Sequence, residues 1–210
     1  MPTSNPPTNA RRNTLHGLPG SPDGALDGLR EAVGASKRGP PPVHLWNPPD
    51  CGDIDMRIAA DGTWFYCGSP IGRMPLVQLF ASVLRKDADR YVLVTPVEKV
   101  GIRVDDAPFV AVEMWATEGL EDAALTLRTN VDDVVTVGPD HPLRFETGAA
   151  EGLKPYVRVR GDLWALVKRA LFYDLVALGA VEPHNGEMWF GVRSRGLFFP
   201  MRPASEIEDI

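Results

Sequence analysis

The sequence predicts an α+β chain of two small strand-rich domains with a duplicated strand–helix core. Three observations predict it. Short segments of alternating apolar and polar residues recur between turn-forming clusters; two stretches of helical period, one after Arg73 and one after Arg160, each follow strand-like residues; and an acidic interruption, Thr117 to Ala123, breaks the chain near its middle. The composition is that of a globular chain: 44% of the 210 residues are hydrophobic and 24% charged, which excludes collagen-like, disulfide-scaffold and wholly disordered classes.

Residues 1–42 are read as a disordered tail carrying one short helix. The first 24 residues collect Pro, Asn, Ser, Thr and Gly, too little apolar surface to offset the entropy of ordering. Leu26, Leu29 and Val33 then fall at helical spacing before Gly39 and Pro40 to Pro42, which a helix does not cross. The first domain is placed at residues 43–117. Ile54, Met56 and Ile58 alternate with polar neighbours, and Asp61-Gly62 supplies a two-residue turn into Trp64 to Cys67. Pairing 60 with 63 sets Ile58 against Phe65, Met56 against Cys67 and Arg57 against Tyr66. Leu76, Leu79, Phe80, Val83 and Leu84 predict a helix over 75–86, with Pro75 in its first turn and Arg85 and Lys86 in its last. Strands are expected at Tyr91 to Thr95, Val97 to Val104 and Phe109 to Trp115.

The second domain is placed at 118–203, followed by an acidic tail, 204–210. Its strands are LTLRT, VVTVG, LRFE and YVRVR; its helix is GDLWALVKRALFYDLVALG, with Asp162 as N-cap and Gly179 at its end; a hairpin of EMWFGV and LFFPM closes it around Arg193 to Gly196. A shift of 87 residues sets Arg73 on Arg160 and the apolar positions of one helix on those of the other. This suggests a repeated strand–helix unit.

Charge divides the chain. Residues 50–151 hold 9 basic and 18 acidic side chains, whereas 152–203 hold 8 and 4, an asymmetry that either orients the two halves toward each other or gives the second an anion-facing surface. Arg158 and Arg160, two apart on a strand, are expected on one face with Tyr156, and Arg160 directly before a helix start. Thr95, Glu98 and Lys99 group a hydroxyl, a carboxylate and an amine at a strand end, and Arg128, Thr129 and Asn130 group similarly at another. Arg73, Thr95, Glu98, Lys99, Arg128, Thr129, Asn130, Arg158 and Arg160 are therefore the candidate contacts for a ligand held between the halves. The alternatives are local: Thr before Pro favours a bend, Asn starts turns, and clustered charges form structural ion pairs. The Asp pairs 105–106 and 132–133 fall in turns.

No phosphate-loop, dinucleotide, hydrolase-elbow or zincin motif is present, and His16, His44, His141 and His184 are scattered. No cofactor or metal is expected. The acidic balance disfavours nucleic acid. Cys51 and Cys67 are expected to be free thiols, Cys67 facing Met56 inside the hairpin. The N-terminal stretch lacks an apolar core after Arg11 and Arg12 and no run reaches transmembrane length, so a soluble cytoplasmic chain is expected.

The strings DGTWFYCGSPIGR, YVLVTPVEK, DDAPF, RTN and PYVRVRGDLWALVKR together resemble the bacterial family of unknown function 1285 (DUF1285), over about residues 42–200. The resemblance implies two α+β domains with a duplicated core, a C-terminal half like a pleckstrin-homology fold, and a nucleotide-like ligand in the interdomain cleft, used in signalling with a link to oxidative stress. A non-catalytic module for a small anionic ligand is the leading expectation. An enzyme without a recognisable motif, acting on a nucleotide or phosphorylated substrate, and a protein–protein scaffold are the alternatives.

Overall fold

The computed structural model describes residues 41–117, 123–148 and 152–207. The expected tail and helix before residue 41 lie outside the described residues, as does the end of the acidic tail, 208–210. The first unit is a six-stranded sheet with one helix: β1 (Asp50–Ile58), β2 (Trp64–Tyr66), β3 (Ser69–Pro70), α1 (Met74–Ser82), β4 (Leu84–Asp87), β5 (Arg90–Val94) and β6 (Lys99–Val104). The strands run in the order β3-β2-β1-β6-β5-β4, and the two central ones, β1 and β6, are parallel.

The second unit repeats this order strand for strand. Its members are β7 (Phe109–Thr117), β8 (Ala124–Thr129), β9 (Val134–Thr136), β10 (Leu143–Thr147), β11 (Leu153–Arg160) and β12 (Leu163–Val167). Read from the other edge the sheet is β9-β8-β7-β12-β11-β10, with β7 and β12 the parallel central pair. A helix, α2 (Arg169–Ala177), follows, and then a three-stranded antiparallel sheet, β13 (Ala180–His184), β14 (Glu187–Ser194) and β15 (Leu197–Pro203). The chain thus has two strand-rich sheets in a duplicated strand–helix arrangement, but the 87-residue shift does not align it. α1 lies between the third and fourth strands of its sheet, whereas α2 follows the sixth strand of the other. Arg73 caps a helix start, and Arg160 ends a strand.

Three further expectations are corrected. β7, assigned with residues 43–117, pairs with β8 and β12, so the change of sheet falls in the turn 105–108. Both helices are shorter than their apolar spacing suggested. In α1 only Val77, Phe80 and Ala81 are buried; Val83 and Leu84 leave the helix because Leu84 pairs with Leu93 and buries completely in an edge strand. Leu163 to Val167, read as helix with Asp162 as cap, is a strand between β11 and β7 that sends Leu163, Ala165 and Val167 into the core. A short apolar run fits either period, and sheet pairing decides.

The β1–β2 hairpin has a three-residue loop rather than two: Ala59 and Thr63 close it through Ala59 N–H to Thr63 O at 2.9 Å, with Gly62 at φ 85°. The register therefore moves by one, pairing Ile58 with Trp64, Arg57 with Phe65 and Met56 with Tyr66. Trp64 turns inward to stack on Phe80 of α1, and the Arg57 guanidinium lies 4.7 Å from the Phe65 ring centre. Cys67, beyond the strand at φ 47°, is exposed rather than packed on Met56; both cysteines are free.

The expected closing hairpin is present as β14 and β15, turned by Arg195-Gly196, and Asn185-Gly186, both at positive φ, adds β13 in front of it. Ser194 fastens this sheet to the second unit, donating from its buried hydroxyl to Val137 O at 2.8 Å and accepting from Leu125 N–H at 3.0 Å. Gly191 is required by close approach: a Cβ there would stand 2.4 Å from the Phe199 carbonyl oxygen and 2.7 Å from the Phe198 ring. Gly191→Ala is expected to cost about 1–3 kcal/mol, read as a lower urea midpoint. An unchanged midpoint would mean β14 and β15 separate freely.

Candidate functional site

The residues predicted as one site divide between two places and several local turns. Arg128, Thr129, Asn130 and Arg160 converge where the second sheet meets α1 and the β1–β2 loop. The turn after β8 is built by Thr129, whose fully buried hydroxyl accepts from Val131 N–H at 3.3 Å and Asp133 N–H at 3.1 Å. This fixes Asp132 at φ 69° and presents both aspartates outward.

Arg160 donates to the Asp133 carboxylate and to the Ala81 carbonyl at the end of α1, each at 2.6 Å, with its guanidinium 5.0 Å from the Phe109 ring centre. A cation here adds a donor to a carbonyl in the last turn of α1 and complements the helix dipole. Gln78 of α1 donates to Asp132 at 2.7 Å. Asn130 accepts from Val110 N–H at 3.0 Å and donates to Gly62 O at 3.3 Å, and a Cβ on Gly62 would come within 2.6 Å of the Asn130 amide. The loop of one unit is thereby keyed into the other.

Arg128 grips Glu113 through two parallel bonds, 2.9 and 2.5 Å, and Asp132 at 2.5 Å. Bonding to Glu113 first and Asp132 second raises its already high pKa further, and the Arg128 side chain holds Glu113 below the usual carboxylate range. The cations of this junction are thus already matched by carboxylates.

Thr95 forms a second hydroxyl turn, accepting from Val97 N–H at 3.3 Å and Glu98 N–H at 3.1 Å while the same hydroxyl donates to Glu98 O at 3.1 Å. Lys99 bonds Asp87 at 3.0 Å, and Arg85 bonds the same carboxylate while donating to Val43 O and Trp46 O. Arg73 is exposed at the N-terminus of α1. These residues do not meet the junction.

Arg158 stands apart for another reason. A bulge between Arg158 and Arg160 breaks the strand's alternation: Arg158 lies opposite Trp164 and Arg160 opposite Leu163, so the two arginines point to opposite faces. They do not share the face expected of residues two apart. Arg158 shares its face with Tyr156, Trp164 and, from the neighbouring strand, Arg144. The Arg144 guanidinium lies 4.2 Å from the Trp164 ring centre and 5.1 Å from that of Tyr156, and pairs with Glu146 at 3.2 Å. The Arg158 Nε–H is buried and has no hydrogen-bond partner among the described residues. Tyr156 donates to Asp106 at 2.7 Å, and Lys154 bonds the same carboxylate at 2.6 Å. Burial and the bond to Asp106 push the Tyr156 phenol well up; burial opposes ionisation of Asp106, but its two donors outweigh it and hold the carboxyl below its ordinary value. Tyr91 of the first unit looks onto this cluster. Burial raises its pKa, Arg144 opposes the rise, and Asp106 and Asp162 add to it.

Sequence reasoning missed Arg144 and Trp164, whose signal was their position on strands beside Tyr156, and the carboxylates Glu113, Asp132 and Asp133 as partners of the arginines. Elsewhere a shallow depression of about 420 Å³ lies on the first sheet, lined in part by Asp53, Asp55, Arg90 and Arg103; there Arg90 is already held by Asp50 and Asp53. No three His, Cys, Asp or Glu side chains gather as a metal would need, and no helix is long and apolar enough to cross a membrane, among the described residues.

Two family models match the chain, one described as the N-terminal domain of unknown function DUF1285, over residues 41–107, and one as the C-terminal domain of DUF1285 proteins, over residues 108–201. Their junction coincides with the change of sheet. A crystal structure of a DUF1285 family protein from Silicibacter pomeroyi DSS-3 is similar at 50% identity and a TM-score of 0.78, covering 86% of this chain and 97% of that one. Another, from Shewanella baltica OS155, is 28% identical with a TM-score of 0.47, covering 58% of this chain and 90% of that one. No curated protein matches.

Proposed function

The chain belongs to the DUF1285 family, and from that premise we propose that it is a non-catalytic, cytoplasmic signalling module that holds a small anionic, nucleotide-like ligand between its two units, the second acting as a pleckstrin-homology-like binding domain. The observation that carries this reading is Arg158. A buried guanidinium N–H without an acceptor is costly, and this one lies beside Trp164 on a face that also carries Arg144. Two forked cations around an indole suit a phosphate group joined to a flat ring. Arg128 and Arg160, by contrast, are neutralised by Glu113, Asp132 and Asp133, which favours a structural role for them. Among the nine candidate residues, Arg158 is therefore the one on which ligand binding rests.

The test is a thermal-shift screen of the full chain with mono-, di- and cyclic nucleotides and inorganic phosphate. Stabilisation of the wild type is expected, with Arg158→Ala binding about tenfold to a hundredfold more weakly, as loss of one charge-assisted bond predicts. Equal stabilisation of Arg158→Ala, or no stabilisation by any of these anions at millimolar concentration, would leave the scaffold reading, in which both sheets serve only to present surfaces to a protein partner.

A further inference from the structure

We propose that α2 is the contact surface of a symmetric homodimer, two copies packing α2 against α2 in antiparallel fashion about a two-fold axis near Tyr173. An ordinary surface helix keeps one apolar stripe inward and a polar one outward. α2 does not. Leu175 alone is fully buried, with Leu171 and Phe172 half-buried against the core, and of the exposed residues Arg169, Ala170, Tyr173, Asp174, Val176 and Ala177 all but Arg169 and Asp174 are apolar, aromatic or small. Tyr173 is 58% exposed, and the apolar surface continues past the helix end through Leu178 to Val181 and Met188, each about half exposed. Val181 and Met188 lie on the same face of the β13–β14 hairpin as Phe190, the ring that seats against Gly179 at the end of α2, so helix and hairpin present one surface. An exposed contiguous apolar area of this kind marks an interaction site.

Charge selects the occupant. α2 begins with Lys168 and Arg169, has no acidic residue in its first turn and no basic residue in its last. Both cations therefore sit at the positive end of their own helix dipole, where they are unfavourable. In an antiparallel pair, Arg169 of each copy comes opposite Ala177 of the other, at the negative end of that helix, and the misfit becomes an attraction. Ala170 and Ala177 let the helices approach closely on either side of Tyr173. The segment 168–188 carries two basic and three acidic side chains, one of the latter, Glu182, already held by Arg193. Such near neutrality suits a second copy better than an anionic membrane.

Sedimentation equilibrium of the full chain tests this. A dimer dissociating in the micromolar range is expected, and Tyr173→Glu should weaken it about a hundredfold while its melting curve as a monomer stays that of the wild type. Val181→Lys, on the hairpin, provides an independent disruption. Arg169→Glu separates this proposal from general surface effects: it should raise the melting temperature of the monomer, by relieving the helix dipole, and at the same time weaken the dimer. A wild type that is monomeric at every concentration, a dimer insensitive to both Tyr173→Glu and Val181→Lys, or capture of monomers by anionic phospholipid vesicles in place of dimerisation would overturn it.

Discussion

Trp64→Ala is expected to cost the fold about 3–5 kcal/mol, the range for truncating a fully buried large aromatic. The indole is 1% exposed, paired across the hairpin with Ile58 and stacked on Phe80 of α1 with ring centres 6.1 Å apart. Its removal opens a cavity between α1 and the sheet that helix covers. Urea unfolding followed by circular dichroism measures the loss. Trp64→Phe supplies the control: the indole N–H has no partner among the described residues, so a phenyl ring keeps much of the packing and removes an unpaired donor. It should cost far less than the alanine. If the two substitutions were equally damaging, packing against Phe80 would not be what Trp64 contributes.

Arg160→Ala is expected to cost about 2–3 kcal/mol, the worth of charge-assisted hydrogen bonds moderated by the partial exposure of the pair. The substitution removes the charged donor from the Ala81 carbonyl at the end of α1 and leaves Asp133 without its cation. Lysine should not restore the loss, because a single ammonium cannot span a carboxylate and a carbonyl as the guanidinium fork does. A double-mutant cycle with Asp133→Ala should give a coupling of about 1 kcal/mol or more. Additive effects would show that Arg160 acts through Phe109 and Ala81 alone. Because Arg160 and Arg158 face opposite ways, nucleotide stabilisation should survive Arg160→Ala to the extent that the protein remains folded.

Much of the fold was legible in the sequence, and its failures share a cause. Apolar runs between turn-forming residues locate β1, β5, β6, β7, β11, β14 and β15 to within a few residues; β1 and β15 alternate with one face in the core, whereas β5, β6 and β7 each bury three residues in succession. Val83 and Leu84 read as helix because they continue the i, i+3, i+4 spacing of Leu76, Leu79 and Phe80, and Leu163–Val167 because five consecutive apolar residues satisfy both periods; only the partner strands β5, β7 and β11 decide. The unit boundary was drawn at the acidic interruption because charge marks loops. There the interruption joins β7 to β8, and the bidentate Glu113–Arg128 pair spans that hairpin. The candidate site suffered for the same reason: threonine, asparagine and arginine at strand ends were visible, but whether a hydroxyl closes a turn, as Thr95 and Thr129 do, or an arginine meets a carboxylate depends on neighbours distant in sequence. A single bulged residue, Val159, was enough to send Arg158 and Arg160 apart.

The parallel central pair of each sheet governs the order in which the molecule can be assembled on the ribosome. β1 cannot find its inner neighbour until β6 has been synthesised, since Ile58 pairs with Val104, and β7 likewise waits for β12, since Ala111 pairs with Val167. The central pair of each sheet therefore closes a long loop, of the slow, non-local kind, between hairpins that are local, yet the first closure needs nothing beyond β6. The first unit can be complete while the second is still emerging. Arg160, at the end of the eleventh strand, is synthesised long after α1, so its bond to the Ala81 carbonyl is made onto a first unit that can already be complete, while its own sheet still waits for β12.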